Sequence, residues 1–135
     1  MSKSFLGILA VFLFAAAPAL AVPGEPADQP PGFVNLKDGD TVTSPGAVKV
    51  TQATGLAVTP GSHTHLIIDS PLPKPGVMMP MDARHIHLMA GVTEKTLDLA
   101  PGDHTLQLVL GGANHQIRQP LLASPLITIH VQPKP

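Results

Sequence analysis

From Phe33 to the end of the chain, no segment keeps an apolar spacing of three and four residues for more than two turns before a proline, glycine or aspartate interrupts it. A helix of ordinary length has nowhere to form. What recurs instead is short runs rich in Val, Ile, Leu and Thr, which is strand composition. On that pattern strands are expected at about 33–36, 46–54, 63–69, 84–89, 94–99, 103–110 and 125–132. The turns between them fall at "KDGD" (37–40), "SPG" (44–46), "APGDH" (100–104) and "GGAN" (111–114), each of which supplies a residue suited to a special backbone angle. About seven short strands in one small domain imply an all-β fold, an antiparallel immunoglobulin-like β-sandwich, with a small closed barrel as the alternative. The sixteen prolines fit either architecture, because they gather in the leader, the loops and the tail, where a missing N–H costs nothing.

The sandwich is expected over residues 33–132, after two segments that do not belong to it. Met1–Ser4 carries one positive charge and Phe5–Ala17 is an apolar run too short to span a bilayer comfortably. Ala19-Leu20-Ala21 then has the small-x-small form of a signal peptidase site, so residues 1–21 read as a secretory signal peptide, with a periplasmic or secreted mature chain starting at Val22. Residues 22–32, "VPGEPADQPPG", read as a flexible proline-rich leader. Without Lys3 the chain has seven basic against nine acidic side chains and no basic cluster, which argues against nucleic acid as a partner. No second apolar segment in the mature chain is long enough to span a membrane. With no cysteine, stability must come from packing, to which a ligand or metal can add.

Two His-x-His pairs, "GSHTHLIID" at 61–69 and "ARHIHLM" at 83–89, are the chemistry-bearing motifs. Residues i and i+2 of a strand share a face, about 6.5–7 Å apart. His63 and His65 therefore point together, as do His85 and His87, while Leu66, Ile68, Ile86 and Leu88 face the opposite way as core residues. If the two strands are neighbours, several rings converge and suit copper or zinc, for which imidazole is a good ligand. The absence of thiolate leaves Asp69, Asp82 and Met89 as local supplements. If the strands are apart, the histidines are a solvated decoration.

The other histidines divide differently. His115, in the turn "GGANHQ", either reaches the site from a loop or stabilises the turn. His104 shares its face with Leu106, Leu108 and Leu110 and reads as a strand-end residue that caps the core by hydrogen bonds. His130 reads as strand surface. Met78, Met79, Met81 and Met89 carry thioethers suited to Cu(I), but adaptable packing is the favoured use of methionine in a loop that folds over a sheet. That loop, "SPLPKPGVMMPMD" at 70–82, is the longest irregular segment and lies between the two pairs.

The ordered series "FVNLKDGDTVTSP", "HTHLIID" and "HIHL.AG.TEKTLDL.PGDHTLQLVLG.ANH" resembles a family of small secreted bacterial proteins known as domain-of-unknown-function family 4399. The resemblance covers about residues 33–131. It implies a small exported β domain with no assigned activity, in which Gly91, Thr93, Glu94, Leu97, Leu99, Gly102, His104, Leu106 and Leu108 belong to the framework and Asn114-His115 occupies an Asn-His position. Where the family often has an acid before Ala-Asn-His this chain has Gly112, and where it often has three consecutive histidines the middle one is Thr64. Residues 61–65 are also similar to the Gly-x-His-x-His of copper-zinc superoxide dismutase. The cysteines, bridging loop and Asp-x-Gly-Asn stretch of that enzyme have no counterpart here.

Two functions follow from the sequence. One is a periplasmic protein that binds copper or zinc through His63, His65, His85 and His87, with His115 as a fifth ligand. The other is a non-catalytic module that presents its His- and Met-bearing face to an envelope protein. Only four Phe and no Trp or Tyr are present, which argues against stacking on sugars. A hydrolase is disfavoured: Ser62-His63 and Asp69-Ser70 contain the residue types of a triad but no nucleophile elbow. A copper-dependent redox activity would require a copper site.

Overall fold

The computed structural model describes residues 27–135, so the expected signal peptide and residues 22–26 of the proline-rich leader lie outside the described residues. Eight strands follow one another: β1 (Gly32–Phe33), β2 (Thr41–Ser44), β3 (Gly46–Thr51), β4 (His63–Ile68), β5 (His85–Leu88), β6 (Glu94–Leu97), β7 (Gly102–Gly111) and β8 (Ile127–Pro133). No helix occurs among the described residues. The strands form a three-stranded sheet, β1-β3-β6, and a five-stranded sheet, β2-β8-β7-β4-β5. All pairings are antiparallel except β2 with β8. The chain is thus an all-β sandwich, and not the closed barrel.

The layers meet as strand alternation dictates. Val48 and Val50 of β3 and Leu97 of β6 pack against Leu66, Ile68, Leu88, Leu106, Leu108, Ile127, Ile129 and Val131 of the larger sheet. Buried aliphatic side chains of this kind each contribute roughly 1.5–3 kcal/mol. Thr64 lies within the same layer, and its hydroxyl donates to Gln52 Oε1, so its burial leaves no polar atom unpaired.

Strand β2 was not among the expected strands. Its four residues offer one large apolar side chain, Val42, between two turn signals, and its partner β8 is distant in sequence, so no local pattern marks it. β1 is shorter than expected because Asn35 leaves the ladder: its side chain donates to the Ala47 carbonyl and accepts from the Lys49 N–H. β3 and β6 also end earlier than expected, at Thr51 and Leu97.

The outer face of the large sheet is not bare. Ile67 of β4 and Val109 of β7 are covered by Met79 and Ile117 from two loops, with Leu72 and Ala123 at the margin, which makes a second, smaller apolar cluster. The histidine-bearing face is therefore partly enclosed.

Candidate metal centre

Strands β4 and β5 are neighbours, and their register sets His65 directly opposite His87 and Ile67 opposite His85. On its other side β4 pairs with β7, so that His65 faces Val109 and His63 faces Gly111. The outward face of β4 thus carries His63, His65 and Ile67 in line. The turn after β7 brings His115 over this face. Its backbone is in the left-handed region at φ 61°, its N–H donates to the Gly112 carbonyl, and its own carbonyl accepts from the Met79 N–H at 2.7 Å. The 70–82 loop and the His115 turn therefore hold each other in place.

His63, His65, His87 and His115 each place one ring nitrogen within 4.8 Å of the others, close enough to hold a metal ion. Ring centroids are 4.3 Å apart for His65 and His87, 4.5 Å for His63 and His65, and 4.8 Å for His63 and His115, and the His87 and His115 rings stack at 4.5 Å. The His115 Nδ1 lies 3.1 Å from His63 Nε2 and 3.2 Å from His87 Nε2. Two nitrogens bound tetrahedrally to one ion at about 2.0–2.1 Å stand about 3.3–3.4 Å apart, so this spacing needs little adjustment.

Hydrogen bonding fixes how His63 is presented. Its Nδ1 lies 3.0 Å from the Gly61 carbonyl, which only accepts, so Nδ1 carries the proton and Nε2 turns a lone pair to the cluster. A backbone carbonyl that orients a ligating ring in this way is the usual outer support of a metal-binding histidine. His65 is the opposite case: it is 0% exposed, and neither Nδ1 nor Nε2 has a hydrogen-bond partner. A buried unpaired polar group is costly and uncommon, and it calls for a physical reason.

Burial, and then the neighbouring rings of His87, His63, His115 and His85, push the His65 pKa down to about 3. Burial and the rings of His63 and His115 also lower that of His87. Both rings are thereby kept neutral, as a metal ligand must be. Among the described residues no carboxylate or thiol joins the group.

The remaining histidines all have acids. His85 Nδ1 lies 2.7 Å from Asp82 Oδ1, His104 Nδ1 2.6 Å from Asp69 Oδ2, and His130 Nδ1 2.6 Å from Asp103 Oδ1. Of the five residues expected at a metal, the structure thus brings together four and leaves His85 outside the group. The reason is register: His85 sits beside Ile67, one pair further along the ladder, where the end of the 70–82 loop offers it Asp82. Asp69 and Asp82, named as supplementary ligands, are these partners. His104, near the start of β7, makes the hydrogen bonds expected of a strand-end histidine, its Nε2 donating to the Ala100 carbonyl at 2.7 Å.

One contributor was not singled out in the sequence. A Cβ on Gly111 would stand 2.6 Å from His65 Nε2 and 2.8 Å from its Cδ2, so only glycine leaves room for that ring. "GGAN" reads as a turn, yet its first glycine is the last residue of β7 and lies beside β4. Only the pairing of β7 with β4 reveals that role.

Comparison with curated proteins and with solved structures returned no match. The sequence profile described as Domain of unknown function (DUF4399) matches residues 45–132, a span that runs from β3 into β8 and contains all four clustered histidines, and the chain belongs to that family.

Proposed function

We propose that this is an exported, periplasmic protein that binds one copper or zinc ion through His63, His65, His87 and His115 and carries or buffers it. The observation that carries this reading is the fully buried His65 ring with two unpartnered nitrogens, set among three other imidazoles. A metal ion would satisfy one of those nitrogens. It would also give a purpose to a cluster of rings that has no counter-charge of its own. Neutral imidazoles suit both copper and zinc. Export is supported by the charged start, apolar run and Ala-Leu-Ala of residues 1–21.

The test is titration of the mature protein, made without a histidine tag, with Cu(II), Cu(I) and Zn(II), beside a His65→Ala/His87→Ala variant. One equivalent bound tightly by the first and lost by the second is the expected result. Equal, weak binding by both would sink the reading. Cell fractionation, with sequencing of the mature N-terminus, checks export and cleavage after Ala21.

A further inference from the structure

Arg118 follows the turn that carries His115, and its side chain reaches back to the loop before β4. Its Nη1 donates to the Thr59 hydroxyl and, at 3.2 Å, to the Ser62 hydroxyl. Ser62 is 6% exposed and its Oγ also accepts the Thr59 N–H, so the anchor is itself fixed. Both acceptors are neutral, however, and no carboxylate of the described residues lies within ion-pair distance of the guanidinium. The head group is positioned, but its charge is unmatched.

The guanidinium lines an open cleft of about 380 Å³, bounded by Thr59 on one side and by Gly112, Asn114 and Gln116 on the other. The lining holds no acid and no second cation. Hydrogen bonds shape the turn wall: the Gly112 N–H donates to the Gln116 carbonyl and the His115 N–H to the Gly112 carbonyl, each at 2.9 Å. Asn114 Nδ2 donates to Gln116 Oε1 at 2.8 Å, which leaves the Gln116 amide nitrogen with two N–H groups and no protein acceptor. A Cβ on Gly112 would stand 3.5 Å from both Cγ and Cδ of Arg118, so glycine keeps the space beside the arginine stem open.

With Nη1 engaged by the two hydroxyls, the Nε–H and Nη2–H edge remains as a parallel pair of donors, the fork that a carboxylate accepts at both oxygens. A lining with a single fixed cation matches a ligand of single charge and leaves a dianion half neutralised. We propose that this cleft binds a short monocarboxylic acid, held bidentately by Arg118 with the Gln116 amide as a further donor. The site uses none of the four clustered histidines, so it stands or falls separately from the metal reading.

The test follows the Arg118 Nε–H and Gln116 side-chain amide resonances by heteronuclear NMR of the metal-free protein while sodium acetate replaces sodium chloride at constant ionic strength. Saturating shifts of both are expected. Arg118→Gln should weaken acetate binding about tenfold, read at the Gln116 amide. Gly112→Asp should set a tethered carboxylate beside the guanidinium, so that the Arg118 Nε–H already stands near its acetate-bound position and no longer responds to acetate. Backbone amide spectra that coincide with the wild type away from the cleft check the fold of each variant, and the wild-type titration decides without them. Inorganic phosphate, titrated in the same way, should bind more weakly than acetate. Shifts that never saturate, wild-type acetate binding by folded Gly112→Asp, or tighter binding of phosphate would overturn the proposal.

Discussion

At the residue scale, the ligand role proposed for His65 stands against stability. Leaving a buried polar group unpaired costs about 1–3 kcal/mol, and both nitrogens of this ring are in that position. Replacing it with leucine removes the unpaired atoms while keeping an apolar-sized side chain. His65→Leu should therefore be at least as stable as the metal-free wild type in urea denaturation, although it should lose metal binding. The pH dependence has a definite sign. With the folded pKa lowered to about 3 from 6.5, the unfolded chain binds a proton across that interval that the folded chain does not, so stability falls as pH drops from about 6.5 towards 3. Thermal unfolding with a chelator present, followed from pH 7 to pH 4, should show this slope in the wild type and a shallower one in His65→Leu. Gly111→Ala makes a third test, because its methyl group would occupy the space of the His65 ring. Overpacking of this kind costs about 1–3 kcal/mol. Disturbing the support of a ligand typically weakens metal binding about 10–100-fold, so on the proposed function isothermal titration should register a loss with all four histidines still present.

At the scale of elements, the end of β4 is fastened to the start of β7 by one aspartate. Asp69 lies in the left-handed region at φ 49°, accepts the Thr105 N–H at one oxygen and takes His104 Nδ1–H at the other. Partial burial acts to raise the pKa of Asp69, but the bonds from His104 and Thr105 outweigh it and hold the carboxyl low. The hydrogen bond to Asp69 raises that of His104. The histidine's contribution is thus complete below about 6.5 and fades as pH rises through its raised folded value. The aspartate's contribution is present above about 3.9 and is lost as pH falls through its lowered value. Asp69→Asn keeps a residue tolerant of the left-handed turn but removes the charge. It should cost about 1 kcal/mol near pH 6, with the difference from wild type shrinking towards pH 8 in denaturant titrations.

At the scale of the whole molecule, the sandwich core and the histidine group lie on opposite faces of β4. Leu66 is 0% exposed within the main core, and Leu66→Ala should cost about 2–5 kcal/mol. Because its side chain points away from the rings, metal affinity of the folded variant should stay close to that of the wild type, a separation that titration and denaturation together would reveal. Bound metal should in turn stabilise the fold by mass action, by about 2.7 kcal/mol at a free concentration a hundred times the dissociation constant. A rise in melting temperature that a chelator abolishes is the corresponding readout.

The sequence by itself determined the fold class and most of the strands, because alternation and turn chemistry are local properties. The valines, leucines and isoleucines that point inward are spaced two apart within single strands. It also determined that His63 with His65 and His85 with His87 share faces, since that follows from the same period of two. Tertiary structure decided which of them meet. The β4–β5 register sets His87 against His65 and carries His85 one pair away to Asp82. The turn after β7 brings in His115 from fifty-two residues beyond His63, and Gly111 clears the space for His65. Convergence of this kind depends on pairing between distant strands and on loops held by backbone hydrogen bonds, and neither leaves a periodic trace in the residues that make the site.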